Sequence, residues 1–476
     1  MTRSAHAAVL GGGLVGMLAA SVLAHHFDKV TVIERDELPN GPMYRKGVPQ
    51  SQHAHLLMCG GVSTLEGLLP GISQELLAVG ARHVGLPNNI VSYTAQGWTR
   101  RFPEMRFLIS CSRGLLDWVV RDRVLRESAI SVRQKTEAMN LLGDRHCVTG
   151  VKLLDRQTQT KTDLLADLVI DATGSTSKAN DWLVELGIPA VVEEIVDPGI
   201  GYASRFFQAP IDAGLDFPAV TIAPARVPGE PGKGGTLVPI ENSQWIVTLA
   251  GTRGGEPPTD EAGFVRYAHE LRHPILAKLV GAATPLGPIR GYRGGRNRRR
   301  RYERLHLPDG FIAVGDSVAT FNPIYGHGMT VGVRGVAALK AELQRRHYYP
   351  GTSRQVQRAV AHAADTAWLV ASGQDLWHPN VITTRKTRKS NVFARTLQRY
   401  IDRLTKVANG DPIVAAALLD VLTLSGGLAR IRSARTVFHT LRGPRLPPLT
   451  GPTFTPAELL RVAHPGHPQP DVLASE

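Results

Sequence analysis

The chain has 476 residues, 43% of them hydrophobic and 20% charged. That balance describes a globular protein with room for two or three structural units and excludes a fibrous or disordered one. Its 55 Lys and Arg outweigh 41 Asp and Glu, for a formal net charge of +14. Such a charge favours acidic partners in general (nucleic acid, anionic membrane or an acidic carrier protein) without choosing among them. Cys59, Cys111 and Cys147 are far apart and form no CxxC pair. Neither a zinc site nor a disulfide framework is signalled, and a reducing cytoplasm fits this usage.

In chain order, the first feature is an uncharged, mostly apolar run from Ala7 to Ala24, with Arg3 ahead of it. Its length suits a signal peptide or a membrane span. Its interior does not, because Gly11, Gly12, Gly13 and Gly16 divide it. The pattern predicts a short strand over Ala7–Leu10, a tight turn, a helix over Leu14–His25 and a second strand over Val30–Ile33. No transmembrane segment is therefore expected. Gly11-Gly12-Gly13-Leu14-Val15-Gly16 matches GxGxxG, and Glu34 ends the next strand. Strand, glycine turn, helix and placed acid together form a dinucleotide fingerprint. In that arrangement Gly11 permits the tight turn, Gly13 lets a pyrophosphate approach the backbone and Gly16 allows close helix–strand packing. The helix N-terminus presents unpaired N–H groups and a positive dipole end to phosphates. Glu34 is placed to accept hydrogen bonds from a ribose diol. These residues alone do not separate FAD from NAD.

Residues 40–60 read as a loop rich in His, Gln, Pro and Arg, followed by an apolar helical stretch. Within 85–110, NIVSYTAQGW and RFPEMRFLIS read as paired strands. Arg113–Arg126 has helical period, with Leu116, Val119, Val120 and Val124 on one side. Leu164–Gly174 reads as a buried strand ending in a turn, and 195–255 holds several β-like runs separated by Gly and Pro. Phe311–Gly315 is a last buried strand running into Asp316, and a helix is predicted from near Gly328 to about Gln344. From 355 onward the chain is mostly helical, with a Pro-rich stretch at 443–456. No repeat is present. The nucleotide-binding unit is thus discontinuous, with a β-rich unit inserted into it.

Three stretches, in order and spacing, resemble the flavoprotein monooxygenases of the aromatic-hydroxylase type. They are Gly11–Gly16 with Glu34, the run Asp167-Leu168-Val169-Ile170-Asp171-Ala172-Thr173-Gly174, and Gly315-Asp316 followed by Asn322-Pro323-Ile324-Tyr325-Gly326-His327-Gly328-Met329. The resemblance implies noncovalent FAD, with Asp316 on the ribityl hydroxyls and Arg113 on the FAD side of the middle helix. The implied cofactor set is Gly11, Gly13, Leu14, Val15, Gly16, Glu34, Arg35, Arg45, Lys46, Arg113, Gly174, Asp316, Pro323, Gly328 and Met329. Arg45 and Lys46 are expected near the FAD phosphates. Two longer stretches, Arg45–Leu57 (RKGVPQSQHAHLL) and Phe321–Met329 (FNPIYGHGM), resemble more closely the polyene epoxidases of bacterial polyether-antibiotic pathways, of the monensin and lasalocid type.

The fold class that follows is α/β: a Rossmann-like FAD-binding domain of the GxGxxG three-layer type, an inserted β-sheet substrate domain and a helical C-terminal region. Residues 1–80, 111–190 and 301–350 are assigned to the FAD-binding domain. Residues 81–110 and 191–300 are assigned to the substrate domain, and 351–476 to the C-terminal helices. The resemblance implies epoxidation of a polyketide polyene, free or carrier-protein-bound, by a flavin C4a-hydroperoxide, with NAD(P)H as transient reductant and O2 as oxygen source. An alkene accepts that oxygen without being deprotonated, so no catalytic side chain is named. A phenol hydroxylase would gain from a base that ionises its substrate, and nothing in the chain marks one. An aromatic hydroxylase, a flavin dehydrogenase and a non-catalytic flavin-binding regulator remain the alternatives. The WxWxIP signature expected of a flavin halogenase is absent, as is a GxSxG elbow.

Some residues carry a bland reading beside a functional one. His53 and His55, two apart, would face the same way on a strand, but they lack a third ligand at metal spacing and read better as polar loop residues. Phe206, Phe207, Phe217 and Trp245 are candidate walls of an apolar pocket and equally ordinary sheet core. The run Arg296-Asn297-Arg298-Arg299-Arg300-Arg301 lacks the context of a nucleic-acid reader. It reads as a solvated loop, with docking of an acidic carrier protein as the functional option.

Overall fold

The structure, a computed structural model, describes residues 5–45, 47–225, 227–346, 351–385 and 392–462. Its centre is a five-stranded parallel sheet in the order Phe311–Ala313, Leu168–Asp171, His6–Leu10, Lys29–Ile33, Ile130–Arg133. Parallel strands are covered on both faces and need near-continuous apolar runs. Ala7, Ala8, Val9 and Leu10 meet that need, all fully buried. The apolar run after them is a buried helix, Leu14–Leu23. No helix among the described residues is long and apolar enough to cross a membrane. The strands of this sheet come from five separate parts of the chain, so they converge only on folding.

A second sheet has seven strands, in the order Thr284–Arg293, Gly201–Gln208, Gln244–Gly251, Lys233–Ile240, Ala219–Ile222, Ile90–Thr94, Gly97–Trp98. It has its own core, with Phe207, Phe217, Trp245 and Phe264 packed under it. The C-terminal helices Ser353–His362 and Asp365–Asp375 join the core of the parallel sheet through Val356, Val360 and Trp368. Val392–Ala408, Pro412–Leu422 and Ala434–Arg442 pack around a third core that includes Leu404, Val407, Val414 and Val421. The architecture is mixed α/β with a helical C-terminal region.

Three sequence expectations are corrected here. NIVSYTAQGW and RFPEMRFLIS are not partners. The first closes on itself as a hairpin, because Gly97 at φ +111° turns the chain back and stacks Trp98 on Tyr93 at 4.5 Å. Its strand Ile90–Thr94 then pairs with Ala219–Ile222 in the seven-stranded sheet. Arg106–Ser110 instead joins Leu56–Met58 and Arg82–Leu86 in a separate sheet. Leu164–Gly174 is not one strand either. Lys161–Leu165 edges a three-stranded antiparallel sheet, and Leu168–Asp171 enters the parallel one. The break falls at Asp167, whose carboxylate accepts the His6 N–H at 2.9 Å.

The arginine run is the third correction. Asn297–Arg300 is a buried strand, not a solvated loop, between Glu193–Asp197 and Ala319–Thr320. Its neighbours supply the counter-charges. Arg300 pairs with Glu193 at 2.8 Å, Arg301 with Glu194 at 2.8 Å and Arg299 with Asp365 at 2.6 Å. Buried guanidinium groups persist only when paired and hydrogen-bonded in this way. The strand Asn297–Arg300 therefore presents no arginine surface to a carrier protein, and of the run only Arg296 is exposed.

Candidate functional site

The glycine turn is held from both sides. Gly11, at φ +100°, donates to the Ile33 carbonyl at 2.8 Å, and a Cβ there would fall 2.6 Å from the Ala172 carbonyl oxygen. The Gly12 N–H donates to Glu34 Oε2 at 2.8 Å, and the Asp36 N–H to Glu34 Oε1 at 2.9 Å. Arg45 Nη1 pairs with Glu34 Oε2 at 2.9 Å, while its Nη2 donates to the Gly12 carbonyl at 3.3 Å. Arg45 thus lies over the turn as a buried cation. Gly16 sits behind, where a Cβ would be 1.8 Å from the Gly11 carbonyl oxygen. Gly13 faces open space: a Cβ there would meet nothing nearer than Arg45 Nη2, at 3.9 Å. It begins the Leu14–Leu23 helix with no side-chain cap and no acid in the first turn.

Above this turn opens a cavity of about 690 Å³. Gly11, Gly13, Leu14, Val15, Glu34, Arg35 and Arg45 line its near end. Arg35 lies at the exposed margin, where Nη2 donates to the Gly47 carbonyl at 3.2 Å. Lys46 lies outside the described residues.

Further along, the cavity is lined by Arg113, Gly174, Asp316, Pro323, Gly328 and Met329. Arg113 is the first residue of the helix Arg113–Val124, capped by the Ser112 hydroxyl, and is braced by Asp117 at 2.7 Å. Burial pushes the Asp316 carboxyl above its ordinary range, against the opposing pull of Arg113 and Arg298. No hydrogen-bonded partner holds that carboxylate among the described residues. Asp171 has a different role. Fully buried, it accepts the Thr173 N–H at 3.0 Å and the Thr173 and Ser177 hydroxyls at 2.5 Å each, fixing the turn that presents Gly174.

The segment Asn322–Gly328 rests on a buried carboxylate that the sequence did not mark. Asp375, on the helix Asp365–Asp375, accepts from Tyr325 Oη at 2.6 Å, Asn297 Nδ2 at 2.6 Å and Asn322 Nδ2 at 3.0 Å. Asn322 Oδ1 in turn accepts the Tyr202 hydroxyl at 2.7 Å. Burial raises the Asp375 carboxyl to about 6, against the pull of these three donors. The helix Gly328–Arg346 then starts toward the cavity, with nothing within 4 Å of a Cβ built on Gly328.

The far wall is the face of the seven-stranded sheet, including Ile90, Ala219, Thr221, Thr236, Val238 and Thr248. Three rings meet beside it. His53 lies 6.0 Å from Tyr202 and 5.8 Å from Tyr292, and the two tyrosines stack at 6.5 Å. His53 Nδ1 is 2.7 Å from Ser204 Oγ, and Ser204 Oγ is 2.7 Å from Thr248 Oγ1. The two histidines do not share a strand. His53 follows the short helix Pro49–Gln52, and His55 Nδ1 donates to the His53 carbonyl at 2.8 Å. Burial depresses both to about 4, so both are neutral at pH 7. The described residues contain no group of three metal-ligating side chains. Phe206, Phe207, Phe217 and Trp245 do not line the cavity, because the last three turn into the sheet's own core. Tyr202 and Tyr292 face it instead, brought opposite each other by strand register, a pairing no local sequence signal announces.

These features fit FAD. Backbone N–H groups and Arg45 surround open space at Gly13, Glu34 and Asp316 supply carboxylates at two positions along one cavity, and Gly174 and Gly328 leave the backbone bare between them.

The comparisons with known proteins agree. The chain is 29% identical over 459 residues to Protein Rv3254 of Mycobacterium tuberculosis, covering 92% of this chain and 94% of that protein. Its fold is similar to that of the flavin-dependent brominase Bmp2, with a TM-score of 0.61 at 13% identity over 92% of this chain and 99% of that one. It is also similar to PqsL, a probable FAD-dependent monooxygenase from Pseudomonas aeruginosa, with a TM-score of 0.57 at 18% identity over 78% and 94% of the two chains. Residues 4–371 match the model of the FAD binding domain, and the chain belongs to that family.

Proposed function

We propose that this chain is an FAD- and NAD(P)H-dependent monooxygenase that places one atom of O2 on a carbon–carbon double bond of a polyketide polyene, in the manner of the polyether epoxidases. Bound FAD supplies the redox chemistry that activates oxygen. The observation that carries the reading is the sheet wall of the cavity. From Ile90 through Ala219, Ile222, Val238 and Ala250 to Tyr292 it bears no ionised side chain. Such a wall holds an apolar chain, excludes water from the reacting end and offers no base. An alkene needs none. Asp316 and Arg113 lie at the flavin end of the same cavity and serve to bind and orient the cofactor.

An aromatic hydroxylase is the second reading, favoured by one observation. The His53–Ser204–Thr248 chain of polar atoms reaches the cavity and is able to take a phenolic proton. PqsL, which shares the fold, is itself described as a probable monooxygenase. Product mass spectrometry under 18-O2 separates the readings. Epoxidation adds one labelled oxygen per double bond of an isolated polyene and survives His53→Gln. Hydroxylation acts only on a phenol and falls with that substitution, by about 10²–10⁴-fold if His53 moves the proton. Failure of FAD to bind the purified protein would overturn both.

A further inference from the structure

With the Asn297–Arg300 strand buried, much of the surplus positive charge faces solvent elsewhere. Between Arg395 and Arg445 the chain carries nine Lys and Arg against three Asp. Two of those acids, Asp411 and Asp420, are buried and paired: Asp411 with His439 and Arg445, Asp420 with Arg430 and Arg106.

The helix Ala434–Arg442 in this region is turned inside out. Its buried residues are the polar Thr436, His439 and Thr440, while Phe438 is 62% and Leu441 61% exposed. Polar groups hold the inner face: His439 Nδ1 meets Asp411 Oδ2 at 2.9 Å, and the Thr440 carbonyl accepts Arg403 Nε at 2.8 Å. At 3.6 residues per turn, Ala434, Val437, Phe438 and Leu441 share the outer arc, and Arg435 and Arg442, seven apart, flank it on one side.

We propose that this arc docks on an anionic lipid surface, as a peripheral contact independent of which substrate the cavity takes. A helix with an aromatic and an aliphatic side chain outward and arginines beside them has the composition of an interfacial helix. No acid lies on the helix, so its charge is of one sign, as a diffuse anionic surface requires. A second copy of the chain would set Arg435 and Arg442 against themselves. Nucleic acid would leave Phe438 and Leu441 without a partner.

Co-sedimentation of the FAD-loaded full chain with two kinds of vesicle tests this: phosphatidylcholine alone, and phosphatidylcholine with equimolar phosphatidylglycerol. The chain sediments with the anionic vesicles only and is released as salt rises. Arg435→Gln and Arg442→Gln each weaken binding about fivefold, and Phe438→Ala about tenfold, with FAD content and melting temperature unchanged. Phe438→Trp keeps the binding, and its emission shifts to the blue on anionic vesicles alone. No binding, equal binding to both vesicles, or binding indifferent to these substitutions overturns the proposal. So does a dimer that Phe438→Ala dissolves, or tight capture of a purified acidic carrier protein in place of lipid.

Discussion

The two walls of the cavity are built on different principles. The wall of the parallel sheet consists of turns: Gly11–Gly13, Gly174 and Gly326–Gly328 bring bare backbone to the cavity, and Glu34 and Asp316 stand at the ends of strands. The opposite wall is a sheet face, where side chains directly opposite one another on neighbouring strands, such as Thr221, Thr236 and Thr248, make a surface only because register aligns them. The first kind of wall tolerates almost no change at its turns. The second is a mosaic whose tiles can be exchanged singly. A cofactor common to a family suits the first, and a substrate particular to one chain suits the second.

The sharpest way to break this comparison lies within the glycine turn. Gly16→Val puts a Cβ into the Gly11 carbonyl and is expected to cost more than about 4 kcal/mol, read as loss of soluble folded protein. Gly13→Val faces open space and is expected to leave the fold and its melting temperature intact while FAD content falls to near zero. A Gly13→Val protein that stays yellow would show that the turn is structural only.

Stability against pH tests the seam between the walls. His53, His55 and His327 are each depressed from 6.5 to about 4 by burial. Between those values the folded state binds fewer protons than the unfolded one, so stability is full above pH 6.5 and is lost as pH falls toward 4. Asp375, raised to about 6, has the opposite sign and offsets part of the loss. Asp316, whose carboxyl burial also raises, acts in the same direction as Asp375, so the three histidines leave a net loss only partly offset, on the order of a few kcal/mol at about 1.4 kcal/mol per unit. Denaturant midpoints across this range should show it, and His327→Gln should flatten the slope.

Asp316→Ala removes a buried carboxylate from the cavity lining and should weaken FAD binding about 10- to 100-fold, measured by flavin fluorescence on titration. Asp375→Asn should lower stability by about 1–3 kcal/mol, because an amide cannot accept from all three donors that converge there. FAD should bind more weakly in that variant too, since the Asn322–Gly328 segment loses its support. The smallest effect belongs to the sheet wall. Ala219→Leu should leave FAD binding within about twofold, under ~0.5 kcal/mol, and change which substrates are turned over. If it abolished FAD binding instead, the division between the walls would fail.

The glycine turn, its flanking strands and the Asp316 strand were legible because each is local. Four glycines within six residues constrain the backbone wherever they occur, and an apolar run closed by an acid can be read without knowing its partner. The aromatic wall was not legible. Tyr202 and Tyr292 are ninety residues apart and meet through register across one strand pair, while the aromatic residues that stood out in sequence, Phe207, Phe217 and Trp245, faced the other side. Asp375 was hidden for a similar reason: an acid on a helix is ordinary until folding surrounds it with Tyr325, Asn297 and Asn322.

Charge shows the same limit from the other direction. Six residues with five arginines looked like surface, and folding buried four of the six, Asn297 to Arg300. On the helix Ala434–Arg442 it did the opposite and left Phe438 and Leu441 outside. The Glu193–Glu194 pair lies across the sheet from the arginines and neutralises them, and Asp411 draws His439 toward the core and turns the apolar arc outward. What sequence by itself determined was backbone: where the chain must turn, where it must approach a ligand, and which strands are covered on both faces. Burial of individual side chains was decided only in the tertiary structure, because it depends on counter-charges distant in the chain: Glu193 and Glu194 each lie 107 residues from the arginine they pair with, and Asp411 lies 28 residues from His439.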